Sequence, residues 1–409
     1  MQFFFPDSMD QVSPYFNFIT EEHPQHRIRQ RDDVYAHETL SKVPYDGMLI
    51  SKPVVDGLAD RSGNYTEDQK RRIYREGAHK FFRANNKKRN LLIMGDCGAF
   101  TYAEQQEPPY SVDEVINFYE GLNLDFGVSM DHIIFDYLSD AQIKKGAVLQ
   151  EDWVYRQELT ISIASQFIKT VKKQKCAFTP LAVAHGWDPE SYKNAVNQLQ
   201  KIGYKKIAFG GMVPLRTTDV LDVLRECSTV KRSSTEFHLL GLTRLDKIAE
   251  FASLGVTSID STSPFRQSFM DEDDNYHTNK SNYVAIKVPQ TNANPALVRR
   301  IKSGEVDQRK AMELETKCLD ALRKFDAGKR SIKYVLNVLR EYELVYAKEG
   351  INRSAKYERT LEEAPWKKCK CGICMEVGIE VMIFRGSERN KRRGFHNLSV
   401  FRQKLSKIF

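Results

Sequence analysis

The sequence predicts an α/β fold, a (β/α)8 barrel of the TIM type followed by a helical C-terminal subdomain. From about residue 45 to 290, short apolar runs alternate with longer amphipathic segments, as in parallel strands connected by helices. After residue 300 the sequence becomes polar and favours helix. No GxGxxG or GxxxxGK[ST] motif follows a strand candidate, so we prefer a closed barrel to an open doubly wound sheet.

Eight of the apolar runs have the length of strands, and eight strands close a barrel. They are GMLIS (47–51), LLIMGD (91–96), FGVSMD (126–131), PLAVAHG (180–186), KIAFGG (206–211), FHLLGL (237–242), VTSID (256–260) and NYVAIKV (282–288). Several intervening segments begin at a Ser, Thr or Asp cap and end at Gly, which is typical of helices. We predict an N-terminal segment (1–45) packed on the barrel, the catalytic barrel (46–300) and a basic helical subdomain (301–409).

The composition is that of an ordinary globular protein. The 409 residues are 41% hydrophobic and 28% charged, which is enough to bury a large core. No window approaches the roughly 18 uninterrupted apolar residues of a membrane span, and the N-terminus lacks a basic leader. We therefore expect a cytoplasmic protein that has no membrane partner.

The net charge of +8 is concentrated near the C-terminus, in WKKCKC (366–371) and RGSERNKRRGFH (385–396). A basic patch favours a polyanionic partner, which is usually nucleic acid. A solvated basic face is the alternative interpretation.

Three of the seven cysteines are crowded together, whereas the other four lie far apart, which argues against a disulfide framework. Cys369, Cys371, Cys374 and His396 supply the three thiolates and one imidazole of a closed tetrahedral zinc site. The alternative is a chance cluster of reduced thiols. Because four protein ligands leave no position for water, we expect a structural Zn2+ and a catalytic site elsewhere.

Three strand candidates end in an aspartate, namely Asp96, Asp131 and Asp260. Catalytic groups of a barrel lie at the C-terminal ends of its strands. Each aspartate alone could equally be a helix cap or a turn residue, but three on one rim predict a site. Paired carboxylates suit chemistry at a glycosidic carbon, where one attacks the anomeric carbon and the other moves protons.

Neighbouring residues could complete a flat pocket. Phe100 could stack on an aromatic ring, and Gly210 and Gly211 in FGGM (209–212) would let the backbone approach a ligand. His185 also lies at a strand end, although a lone histidine is more often structural than functional.

With these motifs assembled, the chain resembles the tRNA-guanine transglycosylase superfamily, zinc-containing (β/α)8 enzymes that exchange a guanine in a polynucleotide for a 7-deazaguanine. GDCGAF (95–100) resembles the family's DSGGF or DSGAF motif, and SIDSTSPF (258–265) resembles its second aspartate motif. FGGM resembles the family's GGL segment, and CxCxxC followed by a histidine matches the order of its zinc ligands. The resemblance covers most of the chain.

The resemblance implies a role for each motif residue. Asp96 would be the general acid/base, and Asp260 would be the nucleophile. Asp131 would contact the polar edge of the purine, and His185 stands where the family usually has glutamine. Five further residues would stack on the base or offer it backbone atoms: Phe100, Leu240, Gly210, Gly211 and Met212.

Some features depart from typical tRNA enzymes. Cys97 replaces the usual serine, a PTR-like sequence after the nucleophile is absent, and the linker after residue 267 differs. The opening FFFPDSMDQVSPYFNF (3–18) and GDCGAF look closest to the DNA-acting DpdA branch. This likeness implies that guanine in DNA is exchanged for a 7-deazaguanine base such as 7-cyano-7-deazaguanine. The exchange would pass through a covalent aspartyl-glycosyl intermediate. The modified DNA would resist restriction enzymes.

Alternative functions stay open at this point. The substrate could be tRNA, since both polymers present phosphates to the same basic surface. A noncatalytic nucleic-acid-binding member is a second alternative, against which the presence of both Asp96 and Asp260 argues. A metal-dependent hydrolase is disfavoured because HxH pairs are absent. A homodimer formed through the zinc subdomain and an accessory ATPase that opens the duplex are further partners that the resemblance implies.

Overall fold

The computed structural model describes residues 1–86, 89–139, 142, 146–347 and 350–409. The chain folds into two compact units, and each unit is built from segments that are distant in sequence. The first unit comprises Met1–Met9, Tyr45–Thr262 and Leu405–Phe409. The second comprises Asp10–Pro44 and Ser263–Lys404. Within the described residues, no helix is both long and apolar enough to cross a bilayer.

Eight parallel strands close a barrel in the first unit, as the sequence predicts. Each strand pairs with the next along the chain, and the last pairs with the first. The strands are β1 (Gln2–Pro6), β2 (Gly47–Ser51), β3 (Leu92–Asp96), β4 (Phe126–Val128), β5 (Thr179–Ala184), β6 (Lys206–Phe209), β7 (Glu236–Leu239) and β8 (Val256–Asp260).

The barrel interior is filled by apolar side chains from most of its strands. They are Phe4, Leu49, Met94, Val128, Leu181, Val183 and Ala208, all nearly inaccessible to solvent. A continuous apolar filling of this kind makes the inside of the barrel a packed core and leaves only its rim for chemistry.

The helices of the first unit begin at the caps that the sequence indicates. The side chains of Thr66, Ser111 and Asp188 each accept a hydrogen bond from the backbone N–H three residues later. The helices are Lys52–Val55, Glu67–Glu76, Ala78–Phe81, Val112–Gly121, Glu151–Gln174, Pro189–Ile202, Thr217–Val230 and Ile248–Ser253, with 3-10 turns at Ala99–Thr101 and Leu245–Lys247 and a short ribbon of Asn85–Asn86 with Arg89–Asn90.

The predicted eighth strand, 282–288, is wrong, because β1 takes its place in the barrel. In the second unit, residues 282–288 form two short pairings instead, Asn282–Tyr283 with Tyr276–His277 and Ile286–Lys287 with Ile383–Phe384. The three consecutive phenylalanines of β1 are all buried, and Phe4 belongs to the core inside the barrel. The N-terminal segment therefore supplies a barrel strand, and residues 263–300 lie in the second unit.

The second unit is mainly helical. Its helices are Ala36–Thr39, Ser263–Met270, Pro295–Lys302, Gln308–Asp326, Ile332–Tyr346, Ser354–Glu363, Pro365–Lys368, Gly372–Val377 and Gly386–Ile408, with a 3-10 turn at Gly378–Met382. Arg385 and Arg389 of the C-terminal segment both pair with Glu21, which ties the segment 10–44 to this unit. Ion pairs as buried as these require a partner for each charge.

The basic run 385–396 does not form the polyanion-binding patch that its charge suggests. Its four arginines, Arg385, Arg389, Arg392 and Arg393, are at most 6% exposed. The first three are paired with glutamates, and Arg393 donates to backbone carbonyls of Ser268 and Val381. The lysines of WKKCKC are exposed, so their charges can attract a polyanion.

We expect Phe4→Ala to destabilise the protein by about 3–5 kcal/mol, because Phe4 is buried where β1 closes the barrel. Denaturant unfolding of the variant measures this change. Phe100→Ala is the matched control, since Phe100 is 64% exposed and its loss should change stability by less than about 0.5 kcal/mol. Equal stability of Phe4→Ala and wild type would contradict the role of β1.

Candidate active site and metal centre

The three aspartates that the sequence singles out lie at one rim of the barrel. Asp96 ends β3, Asp260 ends β8, and Asp131 follows β4 after three residues. Asp131 and Asp260 are buried, and Asp96 is partly accessible. Because the C-terminal ends of parallel barrel strands meet at the same face, the carboxylates share one small region.

Asp96 has the properties of a group that exchanges protons near neutral pH. Burial of its carboxyl group, together with the negative charges of Asp131 and Asp260, raises the pKa of Asp96 to about 7. The Ser51 hydroxyl donates a hydrogen bond to its Oδ2 atom at 3.3 Å. A carboxyl with this pKa can act both as an acid and as a base under cellular conditions.

Asp131 is held by side chains on both of its oxygens. The Cys97 thiol donates to Oδ1 at 3.2 Å, and His185 Nε2 lies 2.6 Å from Oδ2. Burial and the charge of Asp131 raise the pKa of Cys97 well above its usual value, so the sulfur carries its proton. Tyr102 donates in turn to the sulfur at 3.1 Å. The cysteine that replaces the usual serine thus serves as a hydrogen-bond donor.

His185 joins Asp131 to the Gly210–Gly211 turn. Its ring packs on Gly210 so closely that a Cβ there would lie 2.3 Å from Cε1. Gly211 has φ +73, and an added Cβ would lie 2.5 Å from the Ile134 carbonyl, so both positions require glycine. His185 Nδ1 is buried and has no hydrogen-bond partner among the described residues.

The residues expected to contact a planar ligand differ in their exposure. Phe100 is 64% exposed and lies beside Phe135, with ring centroids 5.6 Å apart. Leu240 follows β7 and packs against the barrel core, and Met212 is buried. The stacking of a base between Phe100 and Leu240 stays a prediction.

Asp260 is held by His238, a residue that the sequence motifs do not indicate. His238 of β7 places Nε2 at 3.0 Å from Asp260 Oδ1, and the Gly241 N–H donates to the same oxygen at 3.1 Å. The available signal is a histidine inside the apolar run FHLLGL (237–242). Histidine in a strand is a weak signal by itself, since only its partner reveals its role.

Four residues of the second unit form a candidate metal centre, as predicted. The Sγ atoms of Cys369, Cys371 and Cys374 lie 3.4–3.5 Å from His396 Nδ1. A tetrahedral zinc ion with ordinary Zn–S and Zn–N bonds separates sulfur and nitrogen by about 3.6 Å. The cluster could therefore hold a metal ion, and its dimensions are compatible with zinc.

Groups around this cluster orient its ligands. His396 Nε2 lies 2.7 Å from the His277 carbonyl, to which its N–H donates, so Nδ1 keeps its lone pair for a metal. Tyr276 stacks on the His396 ring at 4.0 Å, and its hydroxyl lies 3.2 Å from Cys374 Sγ. Tyr276 and His277 belong to the linker after residue 267, which therefore contributes groups around the cluster.

No protein-family model matches the chain. It is 48% identical over 408 residues to a protein of Salmonella montevideo named "DNA-guanine transglycosylase", and the match covers 99% of this chain and 96% of that relative.

We expect Asp96→Asn to stabilise the protein at pH 8 but not near pH 4. The pKa of Asp96 rises from 3.8 to about 7 on folding, so stability is lost as pH rises through this window. The largest gain at pH 8 is about 4 kcal/mol, reduced by the water that reaches the rim. Thermal unfolding of both proteins at pH 4, 6 and 8 measures the difference.

Asp125→Asn is the control, for which we expect the opposite change in stability. Burial raises the pKa of Asp125, but hydrogen bonds from His79 and the Ile93 N–H outweigh burial and lower it. Asp125→Asn should therefore destabilise the protein at pH 8. An Asp96→Asn protein that unfolds more easily than wild type at pH 8 would contradict the electrostatic account of the rim.

Proposed function

The chain belongs to the DNA-guanine transglycosylases of the tRNA-guanine transglycosylase superfamily, and from this premise we propose that it exchanges guanine in DNA for a 7-deazaguanine such as 7-cyano-7-deazaguanine. The identity of 48% along nearly the whole chain is the observation that carries this proposal. The carboxylates at the barrel rim support it, because a glycosidic exchange needs a nucleophile and a proton carrier.

Binding begins when the target guanine leaves the base stack, since its glycosidic bond is unreachable inside a duplex. The base enters between Phe100 and Leu240. Asp131 and the backbone of Gly211 and Met212 contact its polar edge. His185, which touches both Asp131 and the glycine turn, supports this edge by fixing the position of Asp131.

In the first half-reaction, a carboxylate oxygen of Asp260 attacks C1′ as the bond from C1′ to the guanine nitrogen breaks. The departing base receives a proton with the help of Asp96 or water, and an aspartyl ester of the sugar remains. Asp96 suits this task because its pKa is about 7.

In the second half-reaction, the 7-deazaguanine occupies the empty pocket and loses a proton to Asp96. Its nitrogen attacks C1′ and the ester bond to Asp260 breaks. Two inversions restore the original β-configuration, and the step needs no ATP. Guanine can be protonated at its ring nitrogen at position seven and then leaves easily, whereas the deazapurine has carbon there, so the exchange runs essentially one way.

DNA is proposed over tRNA because the relative is named for DNA. A deoxyribose lacks the 2′-hydroxyl, which eases formation of the oxocarbenium-like transition state and removes one recognition handle. Exchange into tRNA is the second candidate function. The dimer and the accessory ATPase stay predictions, as does the cytoplasmic location.

We also propose that the four-residue cluster binds one structural zinc ion. Three thiolates and one imidazole complete a tetrahedral shell, so the ion would stabilise the second unit and leave no position for a substrate. Cys369, Cys371, Cys374 and His396 would hold it.

The exchange is tested with labelled 7-cyano-7-deazaguanine, offered with DNA and separately with tRNA. We expect wild type to label DNA and Asp260→Ala to lose at least about 10³-fold in rate, because the covalent route is gone. Asp222→Ala, a change to an exposed carboxylate on the first unit, is the control and should stay active. Label in tRNA alone would assign the chain to the tRNA enzymes, and a trapped adduct with Asp260→Ala would overturn the nucleophile.

The zinc proposal predicts about one zinc ion per chain by elemental analysis. Cys374→Ser should lose the ion and lower the melting temperature, because a closed site needs all four ligands. Cys176→Ser, outside the cluster, should keep both the metal and the stability. A Cys374→Ser protein that retains zinc at the wild-type level would contradict the assignment.

A further inference from the structure

We propose that His238 is a positioning residue that determines which oxygen of Asp260 attacks the sugar. The inference rests on the proposed role of Asp260 as nucleophile. His238 lies on β7 opposite Ser258 of β8 and is 1% exposed. Its ring nitrogens reach two groups of the neighbouring strand, Ser258 Oγ at 2.8 Å from Nδ1 and Asp260 Oδ1 at 3.0 Å from Nε2.

The two partners of the ring select its tautomer. A carboxylate can only accept a hydrogen bond, whereas a serine hydroxyl can donate one. The neutral ring therefore carries its proton on Nε2 and donates it to Asp260, while Nδ1 accepts from Ser258. The ring also packs edge-on against Phe4, with centroids 6.1 Å apart, so its orientation is fixed from the other side.

A second donor points at the same carboxylate oxygen. The Gly241 N–H donates to Asp260 Oδ1 at 3.1 Å, and Gly241 has φ +72, a conformation that favours glycine. Two donors on Oδ1 draw electron density to that atom and lock the plane of the carboxylate. We assign Oδ2 as the oxygen that forms the bond to C1′.

This arrangement serves both half-reactions. When Oδ2 bonds to C1′ and the bond to guanine breaks, Oδ1 becomes the carbonyl oxygen of the ester. When the incoming base forms its bond to C1′ and the ester breaks, the electron pair returns to the carboxylate. The donors from His238 and Gly241 then stabilise the returning negative charge, so His238 acts on turnover more than on substrate binding.

Three variants separate this role from a structural one. His238→Phe keeps a ring without a donor, and His238→Gln places an amide N–H the same number of bonds from Cβ as Nε2. We expect His238→Phe to lower kcat about 10²-fold with unchanged KM for DNA, a loss typical of one donor to an oxyanion. His238→Gln should recover most of this loss. Ser258→Ala removes the hydroxyl that fixes the tautomer of His238, so its kcat should lie between those of the two His238 variants.

The assay is labelled-base exchange into DNA at saturating substrate, with circular dichroism and thermal unfolding for every variant. His79→Gln, on the same unit but bound to Asp125, is the control that should keep the wild-type kcat. If His238→Phe does not fold, the order wild type, His238→Gln, Ser258→Ala still tests the donor. A folded His238→Gln or Ser258→Ala with KM raised and kcat unchanged would overturn the inference.

The outcome for wild type distinguishes the two proposals. Wild type that exchanges base into DNA while His238→Phe matches its kcat would overturn the role of His238 alone. A folded His238→Gln that is as slow as His238→Phe would also overturn it, since a restored donor must rescue the rate. Wild type that exchanges base into neither DNA nor tRNA would overturn the proposed function itself, and the role of His238 with it.

Discussion

Closure of the barrel by β1 is the constraint on which the candidate active site depends. Phe4 lies opposite Asp260 in the register of β1 with β8, and opposite Gly47 in its register with β2. The Phe4 ring fits there because Gly47 has no side chain, since an added Cβ would lie 2.5 Å from it. The same ring contacts His238. The nucleophile candidate and its histidine thus share one rigid wall, which matters because a misplacement of about 1 Å can cost about 10²-fold in rate.

Three carboxylates lie at the rim of the barrel, and they differ in the groups that donate hydrogen bonds to them. Asp131 and Asp260 each accept hydrogen bonds from a buried histidine. The Asp96 side chain accepts one long bond from Ser51 and one from the Gly98 backbone. Burial and the neighbouring negative charges raise the pKa of Asp96 to about 7. Environments that differ in this way are what the proposed division into a nucleophile and a proton carrier requires.

The second unit shows how buried charge joins distant segments. Glu21 pairs with Arg385 and Arg389, and these contacts hold the segment 10–44 against the C-terminal helix. Leaving either arginine buried and unpaired would be costly, so the basic run is used for assembly of the unit. The lysines beside the cysteine cluster are exposed and supply positive surface.

The sequence by itself determined the βα rhythm, the aspartates that end β3 and β8, and the Cys3His ligand set. These features depend on local periodicity and short spacing, which a single sequence displays directly. Only the tertiary structure decided that β1 closes the barrel, that the arginines of 385–396 are buried, and that His238 holds Asp260. Each of these depends on a contact between residues that are remote along the chain or on adjacent strands. Local pattern carries no information about which distant group a side chain will meet, and packing of the folded chain supplies it.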